Sequence, residues 1–358
     1  MSTYCSRPWN ELHIEENGNV TPCCVMPSNR FFMGSSIKQY FFSQKLKTLK
    51  NQLMNNEKPK QCEYCWDAEA NNIKSHRKTN ERQGIKQIHI RLNNDCNFKC
   101  RMCNPKFSST WEIENRKHNY FVHEYSTQKD VFDHDPHLLP FIVSLIKKQG
   151  TNYINLSGGE PLITDAHYKF LNYLIDNDAT DITLGYSTNL SNLNYKKIDL
   201  MSLWSNFKGI DIIASCDGWG QAVEYSRTGF NRKIFLENMS KVHKYIQAVN
   251  CVVNIYSVWT LPYIEQICDK LRIKPVYAPC FLPEFLNPQH LDKADKDKLQ
   301  KLYKPYTRLT KIFDDYISQD KPSLGKEMCE YNLMLDSYRD TNFFEVFPQY
   351  RKYYDSIS

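Results

Sequence analysis

From Gly84 onward, short apolar runs alternate with longer stretches whose apolar residues recur every three or four positions. The runs at 85–92, 152–157, 181–187, 210–215, 251–258 and 274–278 are rich in Ile, Val, Leu and Tyr, side chains that suit a buried pleated strand. They predict six strands. The stretches at 136–149, 166–177, 193–207, 233–248 and 261–271 carry the period of a helix with one apolar face. Strand and helix in alternation imply parallel strands joined by right-handed crossovers. The expected fold class is α/β, either an open, incomplete (β/α)6 barrel or a doubly wound sheet. In both, the chemistry belongs beyond the C-terminal ends of the strands.

Residues 1–84 follow neither pattern. They suggest a hairpin turning at Asn17-Gly18 with Leu12 and Val20 on its arms, a turn at Pro27-Ser28, and helical character at 43–53. The polar, basic stretch 71–82 reads as a linker or a solvated helix. From Lys293 the chain is charged and helical, with Pro305 as an interruption. Residues 342–354 hold Phe343, Phe344, Phe347, Tyr350, Tyr353 and Tyr354, too many rings for a free tail, so this segment is expected to dock. Three segments follow: a cysteine-rich domain at 1–84, the strand–helix array at 85–292 and a helical, aromatic extension at 293–358.

Composition narrows the classes. The 358 residues are 41% hydrophobic and 24% charged, the balance of a folded chain rather than a disordered one. No run approaches the roughly 18 apolar residues that would span a bilayer, and no apolar core follows a basic start. A cytoplasmic protein without a membrane partner is expected. The net charge of +6 is too weak to indicate nucleic acid.

Cysteine changes the picture. A reducing compartment disfavours a disulfide framework for the 13 cysteines, and clustered ones there are more often metal ligands. Cys216, Cys251, Cys268, Cys280 and Cys329 are scattered and read as small buried hydrophobes. In Cys96-Asn-Phe-Lys-Cys100-Arg-Met-Cys103, three thiolates just after a strand can converge on one metal centre. Zinc normally wants a fourth protein ligand, whereas three thiolates on a [4Fe–4S] cluster leave one iron open for chemistry. After the second strand comes Ser157-Gly158-Gly159-Glu160-Pro161. Its glycines allow backbone to approach a ligand closely, and its carboxylate can receive an ammonium group. Further upstream, Cys5 and Cys23 flank the hairpin and Cys62-Glu-Tyr-Cys65 forms a knuckle. This is a four-cysteine metal site, open between a zinc ribbon and an iron–sulfur centre. Cys24 is left as a buried thiol or a substitute ligand.

Over roughly residues 85–280 these motifs resemble the radical S-adenosylmethionine (SAM) superfamily. The resemblance implies a partial (β/α)6 TIM-like barrel in which Cys96, Cys100 and Cys103 hold a [4Fe–4S] cluster. It also implies that Gly158, Gly159, Glu160 and Pro161 meet the amino group of SAM, and that Met102 lies by the adenine. Ser215-Cys-Asp217-Gly218 is similar to the family's Ser-x-Asp-Gly, with Ser215 near the ribose. Arg227 resembles the arginine that pairs with the SAM carboxylate in the peptide-modifying branch, and Ser187 and Asn189 resemble pocket-lining residues. The spacing of Cys5, Cys23, Cys62 and Cys65 resembles the Twitch domain, a shortened relative of the SPASM domain, and so implies an auxiliary [4Fe–4S] cluster.

The implied activity is reductive cleavage of SAM, with electrons from a donor such as flavodoxin or ferredoxin. It yields methionine and a 5′-deoxyadenosyl radical, which takes a hydrogen atom from the substrate. A fully ligated auxiliary cluster then serves electron transfer. The substrate expected is a peptide or protein side chain. The alternatives are oxidation of a small polar molecule, such as a sugar or nucleoside derivative, and a non-enzymatic zinc-ribbon protein that binds nucleic acid.

Overall fold

The computed structural model describes residues 2–26, 36–70, 75–78, 84–120 and 130–355. The turn expected at Pro27-Ser28 and most of the stretch 71–82 lie outside the described residues. Eight strands make the main sheet: β1 (Glu11–Ile14), β2 (Val20–Thr21), β3 (Gln87–Arg91), β4 (Tyr153–Ser157), β5 (Thr183–Thr188), β6 (Gly209–Ser215), β7 (Ile246–Val253) and β8 (Lys274–Pro279). Their order is β8-β7-β6-β5-β4-β3-β1-β2. In this sheet the ladders β1–β3, β3–β4, β4–β5 and β7–β8 are parallel, and the β1–β2 hairpin is antiparallel. Six strands thus follow one another in chain order from β3 to β8, the α/β arrangement expected of a partial (β/α)6 array.

Contacts divide the chain into two units, Met1–Asn97, Pro105–Thr188 and Asn192–Ile212 in the first, Phe98–Asn104, Asn189–Ser191 and Ile213–Ser358 in the second. These are not the three segments drawn from sequence. The N-terminal hairpin is no separate body, because β1 pairs with β3 from Glu11 opposite Gln87 to Ile14 opposite Ile90.

In the first unit the strands bury alternate residues, Ile88 and Ile90 on β3 and Ile154 and Leu156 on β4. Helix α1 (Leu138–Gln149) contributes buried Leu138, Ile142 and Leu145, and α2 (Asp165–Asp176) contributes Phe170, Leu171 and Leu174. Each such side chain stabilises by roughly 1.5–3 kcal/mol when fully buried. Gly150, at φ 68, ends α1 in the left-handed conformation that glycine tolerates best.

Three expectations are corrected. The strand foreseen at 251–258 is Ile246–Val253, so the helix foreseen at 233–248 stops earlier, spanning Arg232–Val242. Residues 248–253 pair with β8 (Ala248 opposite Lys274 through Val253 opposite Pro279), and Asn254 turns the chain by accepting from the backbone N of Tyr256 and Ser257. The helix foreseen at 193–207 shrinks to Leu200–Trp204, because Lys196 and Lys197 adopt positive φ. A helix at Ser109–His118 was not foreseen.

In the second unit, helices Lys293–Tyr303 and Gly325–Arg339 are followed by the aromatic segment. Phe343 and Phe347 pack on Tyr225 and Tyr256, and the Tyr350 hydroxyl donates to Ile255 O at 2.6 Å. Among the described residues no helix is long and apolar enough to cross a membrane.

Candidate functional site

The loop after β3 and the Gly158-Gly159-Glu160 segment after β4 are locked together in the first unit. Gly159 N donates to Asn93 O at 3.0 Å, and Glu160 N donates to Asp95 O at 2.6 Å. A Cβ on Gly158 would lie 2.6 Å from Asn93 O, and one on Gly159 would lie 2.1 Å from Asp95 O. The glycines are therefore required by backbone packed against backbone, a reason the sequence reading had assigned to a ligand. Asn93 fixes the same loop, donating from Nδ2 to Asp130 Oδ1 at 2.8 Å and Thr164 Oγ1 at 2.6 Å. Cys96 follows directly, with its N donating to Ser109 Oγ at the start of the helix Ser109–His118.

Glu160 is buried and caps the turn Pro161–Ile163, Oε1 accepting from Leu162 N at 3.2 Å and from Thr188 Oγ1 at 2.6 Å. Pro161 is buried in that turn, and Ser187 on β5 is half-buried. The boundary between the two units falls within the cysteine triplet: Cys96 belongs to the first, Cys100 and Cys103 to the second.

In the second unit Cys103 N donates to Cys100 O at 2.9 Å, and Met102 between them is half-buried. Cys100 pairs with Arg227 in a two-residue antiparallel ladder, and Arg227 Nη1 lies 3.9 Å from Cys100 Sγ. Arg227 Nε donates to Asp217 Oδ2 at 2.7 Å, while Asp217 Oδ1 accepts from Val252 N at the end of β7. Burial opposes the charge on Arg227, but Asp217 outweighs it and holds the guanidinium above its ordinary pKa. Burial pushes the Cys100 thiol up to about 12, against the pull of Arg227. Metal loading there must displace a proton. Ser215 is half-buried at the end of β6, and Asn189 is buried with Oδ1 accepting from Ser191 N.

The N-terminal cysteines converge in the first unit. Cys5, Cys23, Cys62 and Cys65 line one cavity, with Arg7 and Arg77 also in its wall. Cys5 and Cys65 are buried and Cys23 and Cys62 are half-buried. Cys24 is exposed and not part of the wall, which corrects its reading as a buried thiol. Among the described residues no group of three His, Cys, Asp or Glu closes on a single ion position. Four thiols around a cavity, with two guanidiniums beside them, suit an anionic group with a ligand site at each corner, as a [4Fe–4S] cluster is. Sequence reasoning missed Arg101, within the triplet itself, and named Asp217 only as part of a motif. Arg101 depends on partners far along the chain, and Asp217 on its contacts with Arg227 and Val252, neither of which spacing reveals.

Comparison with known proteins gives a match of residues 5–66 to SPASM, an iron–sulfur cluster-binding domain. GTP 3′,8-cyclase of Campylobacter lari is 31% identical over 116 residues, which are 32% of this chain and 31% of that protein. The chain therefore matches about a third of the length of this curated relative. Among solved structures, SuiB of Streptococcus suis bound to precursor peptide SuiA aligns with TM-score 0.43 and 14% identity, over 75% of this chain and 52% of that one. TYW1 with a lysine–pyruvate adduct bound aligns with TM-score 0.35 and 11% identity, over 68% and 78%.

Proposed function

We infer that this chain, a radical SAM enzyme with an N-terminal SPASM iron–sulfur domain, abstracts a hydrogen atom from a peptide or protein side chain. Its cofactors are [4Fe–4S] clusters and SAM. In this reading Cys96, Cys100 and Cys103 ligate the SAM cluster, and Cys5, Cys23, Cys62 and Cys65 ligate the auxiliary one. When bound, the first cluster supplies the electron that cleaves SAM and so starts hydrogen-atom abstraction. The observation that carries the reading is the lining of one cavity by four thiols inside the matched SPASM residues.

The chain's own residues do the rest. Thr188 and Leu162 N hold the Glu160 carboxylate in one orientation, as a receiver for the SAM ammonium must be. Asp217 holds Arg227 against Cys100, where its charge favours the thiolate that a metal ligand requires. Ser187, Asn189, Ser215 and Met102 are assigned to the remaining SAM contacts, Arg227 to the carboxylate, and the protein to the cytoplasm. The name of the relative matched over 116 residues favours a second reading, in which the substrate is a nucleoside derivative.

Anaerobic purification with iron, sulfide and zinc analysis tests the cofactors: about eight irons support two clusters, and stoichiometric zinc without iron sinks the reading. The substrate class is then read from deuterium transfer into 5′-deoxyadenosine, with a pool of deuterated peptides against one of deuterated nucleosides and sugars. Transfer from the second pool alone would replace the peptide reading with the nucleoside one.

A further inference from the structure

The residue directly after the second cysteine of the triplet is a buried arginine whose side chain points away from the thiols and into the C-terminal extension. Arg101 is 0% exposed. Its Nη2 donates to Asp336 Oδ1 at 2.6 Å and to Thr341 Oγ1 at 2.8 Å, and its Nη1 donates to Asn332 Oδ1 at 3.2 Å. Its guanidinium lies 3.7 Å from the centre of the Tyr225 ring. The backbone of the same residue is held as well, with N donating to Ser226 O at 2.7 Å and O accepting from Tyr331 Oη at 2.6 Å. Asp336 is saturated in turn, accepting from Tyr225 Oη, Thr341 Oγ1 and Phe343 N. One residue before Cys100, Lys99 O accepts from Arg339 Nη1 at 2.8 Å.

A buried guanidinium with this many fixed partners has one position open to it, because any displacement strands an unpaired charge or donor away from water. The backbone that carries Cys100 and Cys103 is fixed with it.

We propose that the helix Gly325–Arg339 and residues 340–343 brace the cluster loop, with Arg101 as a positioning residue that sets where the Cys100 and Cys103 thiols stand. The extension is then a working part of the cluster site, not an appendage to it. The proposal rests on the assignment of Cys100 and Cys103 as cluster ligands.

The test uses the full chain with Asp336→Asn, which removes the charge and keeps the shape, and Thr341→Val as a milder variant. Asp320→Asn, which removes an exposed carboxylate from the same extension, is the control. After chelation of iron, iodoacetamide labelling of Cys100 and Cys103, mapped by mass spectrometry, is expected to rise about tenfold in Asp336→Asn as local opening becomes easier. It should rise in the same direction in Thr341→Val and not in the control. On anaerobic reconstitution Asp336→Asn should hold about four of about eight irons, and the change that SAM produces in the spectrum of the reduced cluster should weaken.

Unchanged labelling in Asp336→Asn with native circular dichroism would overturn the brace. If that variant does not fold, unchanged labelling in Thr341→Val overturns it instead. A wild-type chain that binds no iron at the triplet would sink the proposed function, while the labelling still decides the brace.

Discussion

Cys5, Cys23, Cys62 and Cys65 reach one cavity wall from two distant stretches of the chain, whereas Cys96, Cys100 and Cys103 leave a single short loop. In the N-terminal region the fold assembles the ligands, and the hairpin and the helix at Glu63–Ala70 must both be in place before four thiols face one space. In the triplet the sequence already assembles the ligands, and the fold contributes restraint through Arg101, Arg227 and the Asn93–Gly159 contact. A ligand set made by folding should depend on distant packing, and one made by a loop on what restrains that loop.

The largest effect separates the two sites outright. Cys100→Ala should abolish reductive SAM cleavage and leave about four of about eight irons on the N-terminal site. Cys62→Ala should lose about the same iron and still cleave SAM. Iron and sulfide analysis together with 5′-deoxyadenosine release in single turnover measure both. SAM cleavage by Cys100→Ala would collapse the distinction.

Next comes the restraint on the loop. Asp217 is fully buried and Arg227 nearly so. Asp217→Asn leaves a buried guanidinium without its counter-charge, a change of the kind that costs about 3–5 kcal/mol. The expectation is a lowered urea midpoint with iron retained at the N-terminal site and lost at the triplet. Equal loss from both sites would show that Asp217 supports the fold in general and not the loop.

The first unit has its own acid limit. His167 is fully buried, with Nε2 against Tyr186 Oη at 2.9 Å, and burial lowers its pKa to about 3. In the unfolded chain a histidine titrates near 6.5. The unfolded state therefore takes up the proton first, and the stability present above about pH 6.5 is lost as pH falls toward 3. From pH 7 to pH 5 this is about 2 kcal/mol, by linkage. His167→Phe loses the Tyr186 contact and is weaker at pH 7, but its stability should fall less over the same interval. Parallel curves for the two proteins would remove His167 from the account. Comparisons between the two sites are cleanest above pH 6.5.

The legible part of the molecule followed the same division. Strands β3 to β6 could be read because Ile, Leu and Tyr recur on them, and their boundaries shifted by only a few residues. Arg232–Val242 was read too long because the apolar period runs on through Ile246 and Ala248, which belong to strand β7. Ser109–His118 went unseen because its buried face is Trp111 with Glu112, Glu114 and Asn115, a polar stripe with no apolar period. Cysteine spacing is local and visible. Asp336 lies far along the chain from Arg101, and nothing in either neighbourhood marks the pair.

The smallest effect tests how much the N-terminal cavity depends on its rim. Arg77 grips Glu69 with two hydrogen bonds, Nε to Oε1 at 2.6 Å and Nη2 to Oε2 at 2.7 Å. Its Nη1 also donates to Tyr4 O at 3.0 Å, one residue before Cys5. Glu69 is 27% exposed at its side chain, so solvent screens the pair and its removal is worth at most about 1 kcal/mol. Glu69→Gln should keep all of its iron and melt slightly earlier at low salt. The difference should close in about 1 M salt, where the screening length falls to about 3 Å. Loss of iron from Glu69→Gln would mean that the cavity is held at its rim by Arg77, and not by the buried packing that places Cys5 and Cys65.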